Sequence, residues 1–427
     1  MRLLFLSMEY PPETGGGGIG SYVACIAPAL SSRGHEVHVL SCVRAQETRD
    51  YKDQGVCIHR RSQVRLRGLG RLLRSPEEGT RLETAVSGWI EMRRLGLQFD
   101  VVEFPDWMAE GLVLGLAGSL PLVAHLHTPL HLIRTHNGLP LGWDTRLGDL
   151  LERSAVRRAD VVTAPSRLIA SELKRSGWTG ATAVEVVPYP IDLERWQRLP
   201  ETFEAKPTVL AVGRLEPRKA PELLLRAAAS LTSEVPDLEV IFVGRSSGTR
   251  DGLPYQKWLE RIAGALMVRV HFAGQVPRNE LREWYARARV VAISSWYDNF
   301  PMVGLEGMAC GRPVVCTSRT GLAELVGHGG GCVVPPGDSD ALAAALLPYL
   351  LDPALAEAEG GRARGVVGAA CHPAVVAERR EAVYRAAIER HEYGRVARVR
   401  WFRSAARFAH PGPLATRGRA GSKGRSS

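Results

Sequence analysis

Lysine is scarce in this chain: only six of its 55 basic residues are lysines, in a length of 427 residues. The seven cysteines form no Cys-x-x-Cys pair, so neither a zinc site nor a dithiol redox centre is indicated. Buried, reduced thiols of a cytoplasmic protein are expected instead. The uncharged run from Gly111 to Ala124 has 14 residues and is too short to span a bilayer. The apolar start of the chain ends at Ser7, which predicts a buried first strand and no secretion signal.

Acidic residues are missing from the C-terminal end. From Gly394 onward the chain has nine basic residues and no acid, so the rest of the molecule carries about +1 of the formal net charge of +10, since 10 minus 9 is 1. Nucleic-acid binding by the folded part is therefore not indicated. With 45% apolar and 23% charged residues, the composition is that of an ordinary globular protein.

Apolar segments alternate with helical stretches twice along the chain. The first series predicts strands at 3–6, 36–40, 56–60, 101–103, 122–125 and 161–164, and the second at 208–212, 239–243, 268–272, 290–293 and 313–316. We predict an α/β fold with two facing Rossmann-like parallel-sheet domains and a ligand cleft between them. The expected units are an N-terminal domain at 1–192, a linker at 193–206, a C-terminal domain at 207–372, a helix at 373–392 that returns to the N-terminal domain, and a basic, partly disordered tail at 393–427.

Two carboxylates, Asp298 and Glu306, stand eight residues apart around a run that Pro301 starts and that predicts the first turns of a helix. A helix start offers unpaired N–H groups and a partial positive charge, which favour sugar hydroxyls or a pyrophosphate. Eight residues are slightly more than two turns, so both carboxylates are expected on nearly the same side. A sugar nucleotide suits this layout; an ordinary cap and a solvated glutamate are the alternative.

The glycines after the first predicted strand, Gly15, Gly17 and Gly20, formally satisfy the G-x-G-x-x-G dinucleotide pattern. A nicotinamide or flavin site is disfavoured, because the seven residues Met8–Thr14 stand between the first apolar segment, which ends at Ser7, and the first glycine. The second strand also ends without an acid for a ribose. The glycines still permit a phosphate or sugar to approach the helix predicted at 19–33. A purely structural loop is the alternative.

Strand ends elsewhere carry further candidate ligands. Of the alternating pair His125 and His127, we expect one to face away from the other, and the strand-end position favours His127 as the residue that faces the sugar. In the loop after Gly213, Arg214 can bind a phosphate through two N–H groups, and Lys219 adds a compact positive charge. Together they can offset the charge of a departing diphosphate, although a solvated basic loop is also compatible with the pattern.

Two further patterns are weaker. The turn from Gly274 to Val276 could present its backbone to a nucleobase, and a plain turn is equally compatible. Asp338-Ser-Asp340 resembles the Asp-x-Asp metal motif of some sugar transferases. It precedes an apolar helical stretch, so we predict a helix cap there and no metal site.

Taken together, these segments resemble glycosyltransferase family 4, the retaining group with the two-domain GT-B fold, over nearly all of residues 1–392. The resemblance rests, in the family's order, on Gly17-Gly18, His127-Thr128, Gly213-Arg214 with Lys219, Gly274 to Val276, and the block 298–306. It implies a UDP- or GDP-type sugar donor as co-substrate in the cleft, with no other cofactor and no obligatory metal. It also implies transfer with retained anomeric configuration to a glycan, lipid-linked or small-molecule acceptor.

The resemblance further implies roles for single residues. His127 and Asp298 are expected at the sugar, Arg214 and Lys219 on the diphosphate, and Glu306 on the ribose hydroxyls. The remaining donor-binding positions are Gly17, Gly18, Thr128, Val276, Phe300, Pro301, Met302 and Val303. Two positions depart from the family's pattern: Asp298 replaces a glutamate, and Ala220 stands where glycine commonly follows the lysine.

Other readings stay open at this point. One is a sugar-nucleotide epimerase or a phosphorylase on the same two-domain layout; another is a non-catalytic sugar-nucleotide-binding protein. Peripheral contact with the inner face of the membrane is a further hypothesis. It rests on the basic tail, where 396–409 could form an amphipathic helix, and on an arginine group in the N-terminal domain, with solvated surface as the alternative. That group comprises Arg60, Arg61, Arg65, Arg67, Arg71 and Arg74.

Overall fold

The computed structural model describes residues 1–12, 14, 17–44, 47–66, 76–179, 183–197 and 206–408, with the side chains of 76–78 and 395–408 outside the description. Two parallel sheets organise these residues. The eight-stranded sheet comprises β1 (Arg2–Leu6), β2 (Glu36–Val43), β3 (Arg49–Asp53), β4 (Val56–Ser62), β5 (Val101–Pro105), β6 (Leu122–His125), β7 (Val161–Ala164) and β8 (Val184–Val186). Its order is β3-β4-β2-β1-β5-β6-β7-β8, and only β3 pairs antiparallel, with β4.

The second sheet has six strands in the order β13-β10-β9-β14-β15-β16. They are β9 (Thr208–Val212), β10 (Glu239–Val243), β13 (Arg269–Gly274), β14 (Val290–Ile293), β15 (Val314–Thr317) and β16 (Gly331–Val334); a separate hairpin pairs β11 (Thr249–Arg250) with β12 (Leu253–Pro254). Both sheets are doubly wound, so the prediction of two parallel-sheet α/β domains is confirmed.

Helices cover both faces of the sheets. In the first half they are α1 (Gly18–Ser32), α2 (Pro76–Arg94), α3 (Leu112–Ala117), α4 (Leu130–His136), α5 (Trp143–Val156) and α6 (Arg167–Arg175). In the second half they are α7 (Pro221–Leu231), α8 (Tyr255–Ala265), α9 (Leu281–Arg287), α10 (Met302–Ala309), α11 (Ala323–Val326), α12 (Ser339–Leu351), α13 (Pro353–Cys371) and α14 (Pro373–Phe408). Short 3-10 turns stand at Trp107–Ala109 and Pro217–Lys219.

The sequence pattern did not predict β3, β8 and β16 of the two sheets, or the two short hairpin strands β11 and β12. The sequence pattern missed the start of β16 because the run Gly329–Gly331 is typical of a loop. Gly331 has φ +157°, and a Cβ built there would lie 1.9 Å from the carbonyl oxygen of Val314 on β15. A glycine is therefore required for this strand to enter the sheet.

The last helix, α14, lies against the first sheet. The Arg380 guanidinium is fully buried and donates hydrogen bonds to Thr163 (2.9 Å) and His125 (2.8 Å). Glu103 on β5 accepts hydrogen bonds from the hydroxyls of Tyr22 on α1 (2.6 Å) and Tyr384 on α14 (2.7 Å). The buried charges are thus paired and hydrogen-bonded, as burial of an ion requires.

The segment predicted as a linker begins as packed structure. Trp196 is buried, and its carbonyl accepts a hydrogen bond of 3.0 Å from Arg364 on α13. Residues 198–205 lie outside the described part of the chain.

Not every arginine in the group proposed for membrane contact lies at the surface. Arg60 is 1% exposed and donates to the carbonyl of Tyr10 at 2.7 Å, and Arg61 pairs with Asp50 at 2.7 Å. Arg65 is exposed, whereas Arg67, Arg71 and Arg74 lie outside the described residues. The assignment of Arg60 to a membrane face is therefore wrong, because its guanidinium is buried and donates a hydrogen bond to the backbone of the loop after β1.

Candidate functional site

The carboxyl ends of the two sheets meet across a cleft, and side chains join them there. Asn299 of the second domain donates its amide to the carbonyl of His127. Ser166 at the start of α6 donates to the carbonyl of Asn299 at 3.2 Å. The rings of His136 and Tyr297 stack 4.5 Å apart. Residues just before Phe300 therefore contact the strand end that carries His127.

A cavity opens at the carboxyl end of β9. Arg214, Lys219 and Val303 line it, together with Ser294, Ser295 and the backbone around Gly213. The structure thus brings together three positions that the sequence implicated in donor binding. Cations beside a helix start suit an anionic group such as a diphosphate.

Lys219 ends a tight turn that leads into α7. Ala220 follows it with φ +48°, a left-handed conformation that costs an alanine roughly 1 kcal/mol and a glycine little. Ser294 on the neighbouring strand end stabilises the turn, since its hydroxyl donates to the carbonyl of Ala220 at 3.0 Å. The turn explains physically why glycine suits position 220, and it keeps its shape with alanine.

Asp298 faces two cations at the edge of this cavity. Its Oδ2 accepts from Lys219 Nζ, and its Oδ1 lies 3.4 Å from Arg218 Nη1. Burial alone would raise the pKa of Asp298, but Lys219 and Arg218 together outweigh burial and hold the pKa below its ordinary value. Arg218 is itself 6% exposed and pairs with Glu216 at 2.7 Å. The alternative of a solvated basic loop therefore fails for Arg218.

Glu306 is the fifth residue of α10, about one turn from its start, and is buried. Its Oε1 accepts a hydrogen bond from Arg278 at 3.0 Å and its Oε2 accepts one from the hydroxyl of Tyr285 at 3.2 Å. Burial raises the pKa of Glu306, and Arg278 opposes that rise. Pro301 stands at the N-cap position of α10, so a helix begins where this proline predicted one.

His127 lies on the first-domain wall of the cleft. Its backbone N–H donates to Asp106 Oδ1 at 2.8 Å, and its ring Nδ1 forms a hydrogen bond of 2.5 Å with the hydroxyl of Tyr189. Burial, aided by the positive charge of Arg380, lowers the pKa of His127 to about 3, so the imidazole is neutral at physiological pH.

The expectation that His125 and His127 face opposite ways is wrong. Their rings lie 4.9 Å apart, edge to face, and both contact Tyr22. Residues two apart on an extended chain point to the same side, so the pair shares one face. His125 is the inner member and meets Arg380, whereas His127 is nearer the cleft.

Three buried carboxyl groups on the same wall escaped the sequence analysis. Burial raises the pKa of Asp106 to about 8, of Glu110 to about 8 and of Glu152 to about 7. Asp106 Oδ2 has no hydrogen-bond partner although it is buried. The available signal was the position of Asp106, directly after β5 at the carboxyl end of the sheet.

The described glycines after β1 lie at the start of α1. The N–H of Gly20 donates to Glu9 at 3.1 Å, and a Cβ built on Gly17 would lie 2.7 Å from the same carboxylate. A Cβ on Gly18 would meet no atom within 4 Å, so space for a ligand remains at the start of α1. Gly15 lies outside the described residues. Thr128 is half-buried beside His127.

Other sequence expectations concern metals and caps. Asp338 caps α12, because its carboxylate accepts the N–H groups of Asp340 (3.1 Å) and Ala341 (2.8 Å), so the interpretation as a cap is confirmed. Among the described residues, no group of three or more His, Cys, Asp or Glu side chains could hold a metal ion. All seven cysteines are free thiols.

Comparison with known proteins agrees with this architecture. A family model described as "Glycosyltransferase Family 4" matches residues 16–195, and one described as "Glycosyl transferases group 1" matches residues 193–365. The D-inositol 3-phosphate glycosyltransferase of Acidothermus cellulolyticus is 32% identical, over 86% of this chain and 83% of that relative. The glycogen synthase of Mycobacterium tuberculosis (strain CDC 1551 / Oshkosh) is 29% identical, over 85% and 89%.

Solved structures share the fold. Sucrose-phosphate synthase from Thermosynechococcus elongatus matches with a TM-score of 0.73 at 22% identity, over 90% of this chain and 98% of that one. Anabaena Alr3699/HepE in complex with UDP-glucose matches with a TM-score of 0.65 at 22% identity, over 89% and 98%.

The fold and the cleft define a two-domain GT-B transferase. The chain belongs to glycosyltransferase family 4, as its resemblance indicated, and is a nucleotide-sugar-dependent glycosyltransferase.

Proposed function

We propose that this enzyme transfers a sugar from a UDP- or GDP-type donor with retention of anomeric configuration and without an obligatory metal. The observation that carries the proposal is the cluster of Lys219, Arg218 and Asp298 beside the cavity that Arg214 and Val303 line. In this cluster Asp298 orients Lys219, and the amine and the Arg214 guanidinium can receive the two phosphates.

The donor would span the site from sugar to base. The sugar lies between His127 and the backbone of 300–303, the diphosphate lies over Arg214 and Lys219, and the ribose reaches Glu306. A neutral His127 can accept or donate a hydrogen bond to a sugar hydroxyl without adding charge. Val276, in the turn that follows β13, would then contact the base. UDP and UDP-glucose bound to Alr3699/HepE support this donor class.

Neither nearby aspartate offers a free nucleophile. Asp298 is engaged by two cations, and the carboxyl group of Asp106 stays protonated below about pH 8. We therefore propose front-face departure of the nucleoside diphosphate: the bond from the anomeric carbon to the phosphate oxygen breaks, and the acceptor oxygen bonds from the same side. The leaving oxygen takes the acceptor's proton, so charge and atoms balance within the donor–acceptor pair.

The acceptor is proposed only as a hydroxyl-bearing glycan, lipid-linked molecule or small molecule. The relatives' names differ on this point, since they include a glycogen synthase and D-inositol 3-phosphate glycosyltransferases. We also propose a cytoplasmic reaction, which the seven free thiols support.

The direct test is thermal stabilisation by UDP-, GDP-, ADP- and TDP-sugars, because a ligand that binds only the folded state raises the melting temperature. With the donor so identified, Lys219→Ala and Glu306→Ala should each lower turnover at least tenfold, about 1.4 kcal/mol. Arg226→Ala, an exposed arginine on α7, is the control. Near-normal turnover in both site variants would refute the assignment.

Two further measurements address stereochemistry and metals. NMR of the product's anomeric proton should show the donor's configuration, and inversion would contradict the front-face step. Turnover after chelation with EDTA should match that of untreated enzyme; loss that Mg²⁺ restores would show a metal requirement.

A further inference from the structure

The first domain has a concentration of exposed apolar side chains. Leu139, Leu141 and Trp143 are 47%, 48% and 52% exposed, and Leu116 and Leu150 are 62% and 56% exposed. These five, which we call the apolar ridge, are half of the ten large hydrophobic residues found exposed in the described part of the chain. They lie on α3, on α5 and on the loop between α4 and α5, and α3 and α4 both pack against α5.

The ridge is an ordered surface. Arg134 on α4 donates two hydrogen bonds to the carbonyl of Pro140, at 2.8 and 3.1 Å, and its own carbonyl accepts the N–H of Leu139 at 2.9 Å. Trp143 and Leu150 are seven residues apart on α5, so they share the same outward face. The loop is thus held so that its apolar side chains point away from the core.

Uncompensated positive charge flanks the ridge. Arg146, Arg157 and Arg158 are exposed, and no salt bridge within the described residues involves them. Arg157 and Arg158 donate to the carbonyls of Gly177 (2.7 Å) and Ser154 (2.8 Å), which leaves their charge unneutralised. Of the nearby acids, Asp149 is occupied by Trp178 and His131.

We propose that the apolar ridge and these three arginines form a docking surface for an anionic lipid bilayer. Surfaces that combine leucine and tryptophan with arginine bind at the boundary between the lipid headgroups and the acyl chains. A second copy of the chain fits less well, because a two-fold contact on this face would bring arginine against arginine.

Docking here would set the cleft beside the lipid surface. The inner face of α5 carries Glu152, which accepts the N–H groups of Leu130 (3.1 Å) and Met108 (3.2 Å). From Leu130, α4 runs to His136, which stacks on Tyr297 next to Asp298. One helix pair therefore connects the docking surface to the catalytic wall. The inference goes beyond the proposed function, because bilayer binding needs neither donor nor acceptor.

The test is co-sedimentation of the full chain with phosphatidylcholine vesicles that contain or lack phosphatidylglycerol. Wild type should bind the anionic vesicles at low salt and dissociate at high salt. The triple variant Leu139→Ser, Leu141→Ser, Trp143→Ser should lose at least tenfold in affinity, whereas Met267→Ser with Leu351→Ser, exposed apolar sites of the second domain, should not. Arg146→Gln, Arg157→Gln and Arg158→Gln should cost about fivefold for each removed charge.

Fluorescence gives an independent readout. Brominated lipids should quench part of the wild-type tryptophan emission, and that part should be absent in Trp143→Phe, which still binds. Melting temperature and nucleotide stabilisation measured on each variant show that folding and the donor site are intact.

Three results would overturn the inference. They are undiminished anionic-vesicle binding in the triple variant, equal binding to neutral and anionic vesicles, and a lipid-free dimer of wild type that the triple variant abolishes. The last would make the ridge a contact between copies. None of these results bears on donor binding, which is measured separately.

Discussion

The carboxyl groups of the two cleft walls differ in how their burial is compensated. On the second-domain wall, Asp298 has Lys219 and Arg218, and Glu306 has Arg278. On the first-domain wall, Asp106 and Glu110 receive backbone N–H groups, and burial raises the pKa of each to about 8. On the second wall the carboxylates are paired with cations, and cations are what a diphosphate requires. The first wall presents carboxyl groups that are mostly neutral near pH 7.

Removal of a cation from the second wall should have the largest effect on stability. Arg218→Met leaves Glu216 and Asp298 buried with fewer partners, so the free energy of unfolding should fall by about 3 kcal/mol. Urea denaturation would measure the loss, with Arg226→Met, an exposed arginine of α7, as the matched control. Equal losses in the two variants would show that the buried cation cluster has no special role.

The pairing of Glu306 with Arg278 can be tested through the ribose. Arg278→Gln should weaken binding of UDP, GDP or ADP, whichever binds wild type best, by about tenfold, or 1.4 kcal/mol. The loss should grow as pH falls, because without Arg278 the pKa of buried Glu306 rises further and the carboxylate protonates earlier.

The control uses the 2′,3′-dideoxy counterpart of the same nucleotide. It lacks the hydroxyls that Glu306 is proposed to bind, so Arg278→Gln should leave its affinity unchanged. A matching loss for the dideoxy nucleotide would show that Arg278 acts elsewhere, and isothermal calorimetry can compare the two.

The raised pKa of Asp106 on the first wall should make the stability of the protein depend on pH. An Asp106 carboxyl whose pKa is raised in the folded state binds a proton that the unfolded chain loses near pH 4, so stability should fall as pH rises from about 4 to 8. Asp106→Asn removes this proton and should reduce the slope by up to about 1.4 kcal/mol per pH unit. Asp237→Asn, at an exposed ion pair, should leave the slope as it is. An unchanged slope in Asp106→Asn would mean that this carboxyl is ionised.

A carboxylate outside both walls should have the smallest effect. Asp338→Ala removes the cap of α12 and should cost about 1 kcal/mol of stability. Turnover should be unaffected, with or without EDTA. A fall in turnover that added divalent metal relieves would instead assign the Asp-x-Asp pair to a metal.

The sequence by itself determined the α/β class, the repetition of the sheet and most of the second wall. Runs of apolar residues and turn-forming glycines are local signals, so strands such as β9 and β14 and the helix after Pro301 could be located from spacing alone. Arg214, Lys219 and Glu306 belong to short motifs in which the chemistry and the backbone geometry are neighbours in sequence.

Only the tertiary structure decided which charges compensate one another. Arg278 reaches Glu306 across 28 residues, Arg218 reaches Asp298 across 80, and Arg380 meets His125 across 255. Burial of Asp106 and Arg60, and the shared face of His125 and His127, likewise follow from packing of distant segments. Desolvation and ion pairing depend on what surrounds a side chain in space, and a one-dimensional pattern does not contain that information.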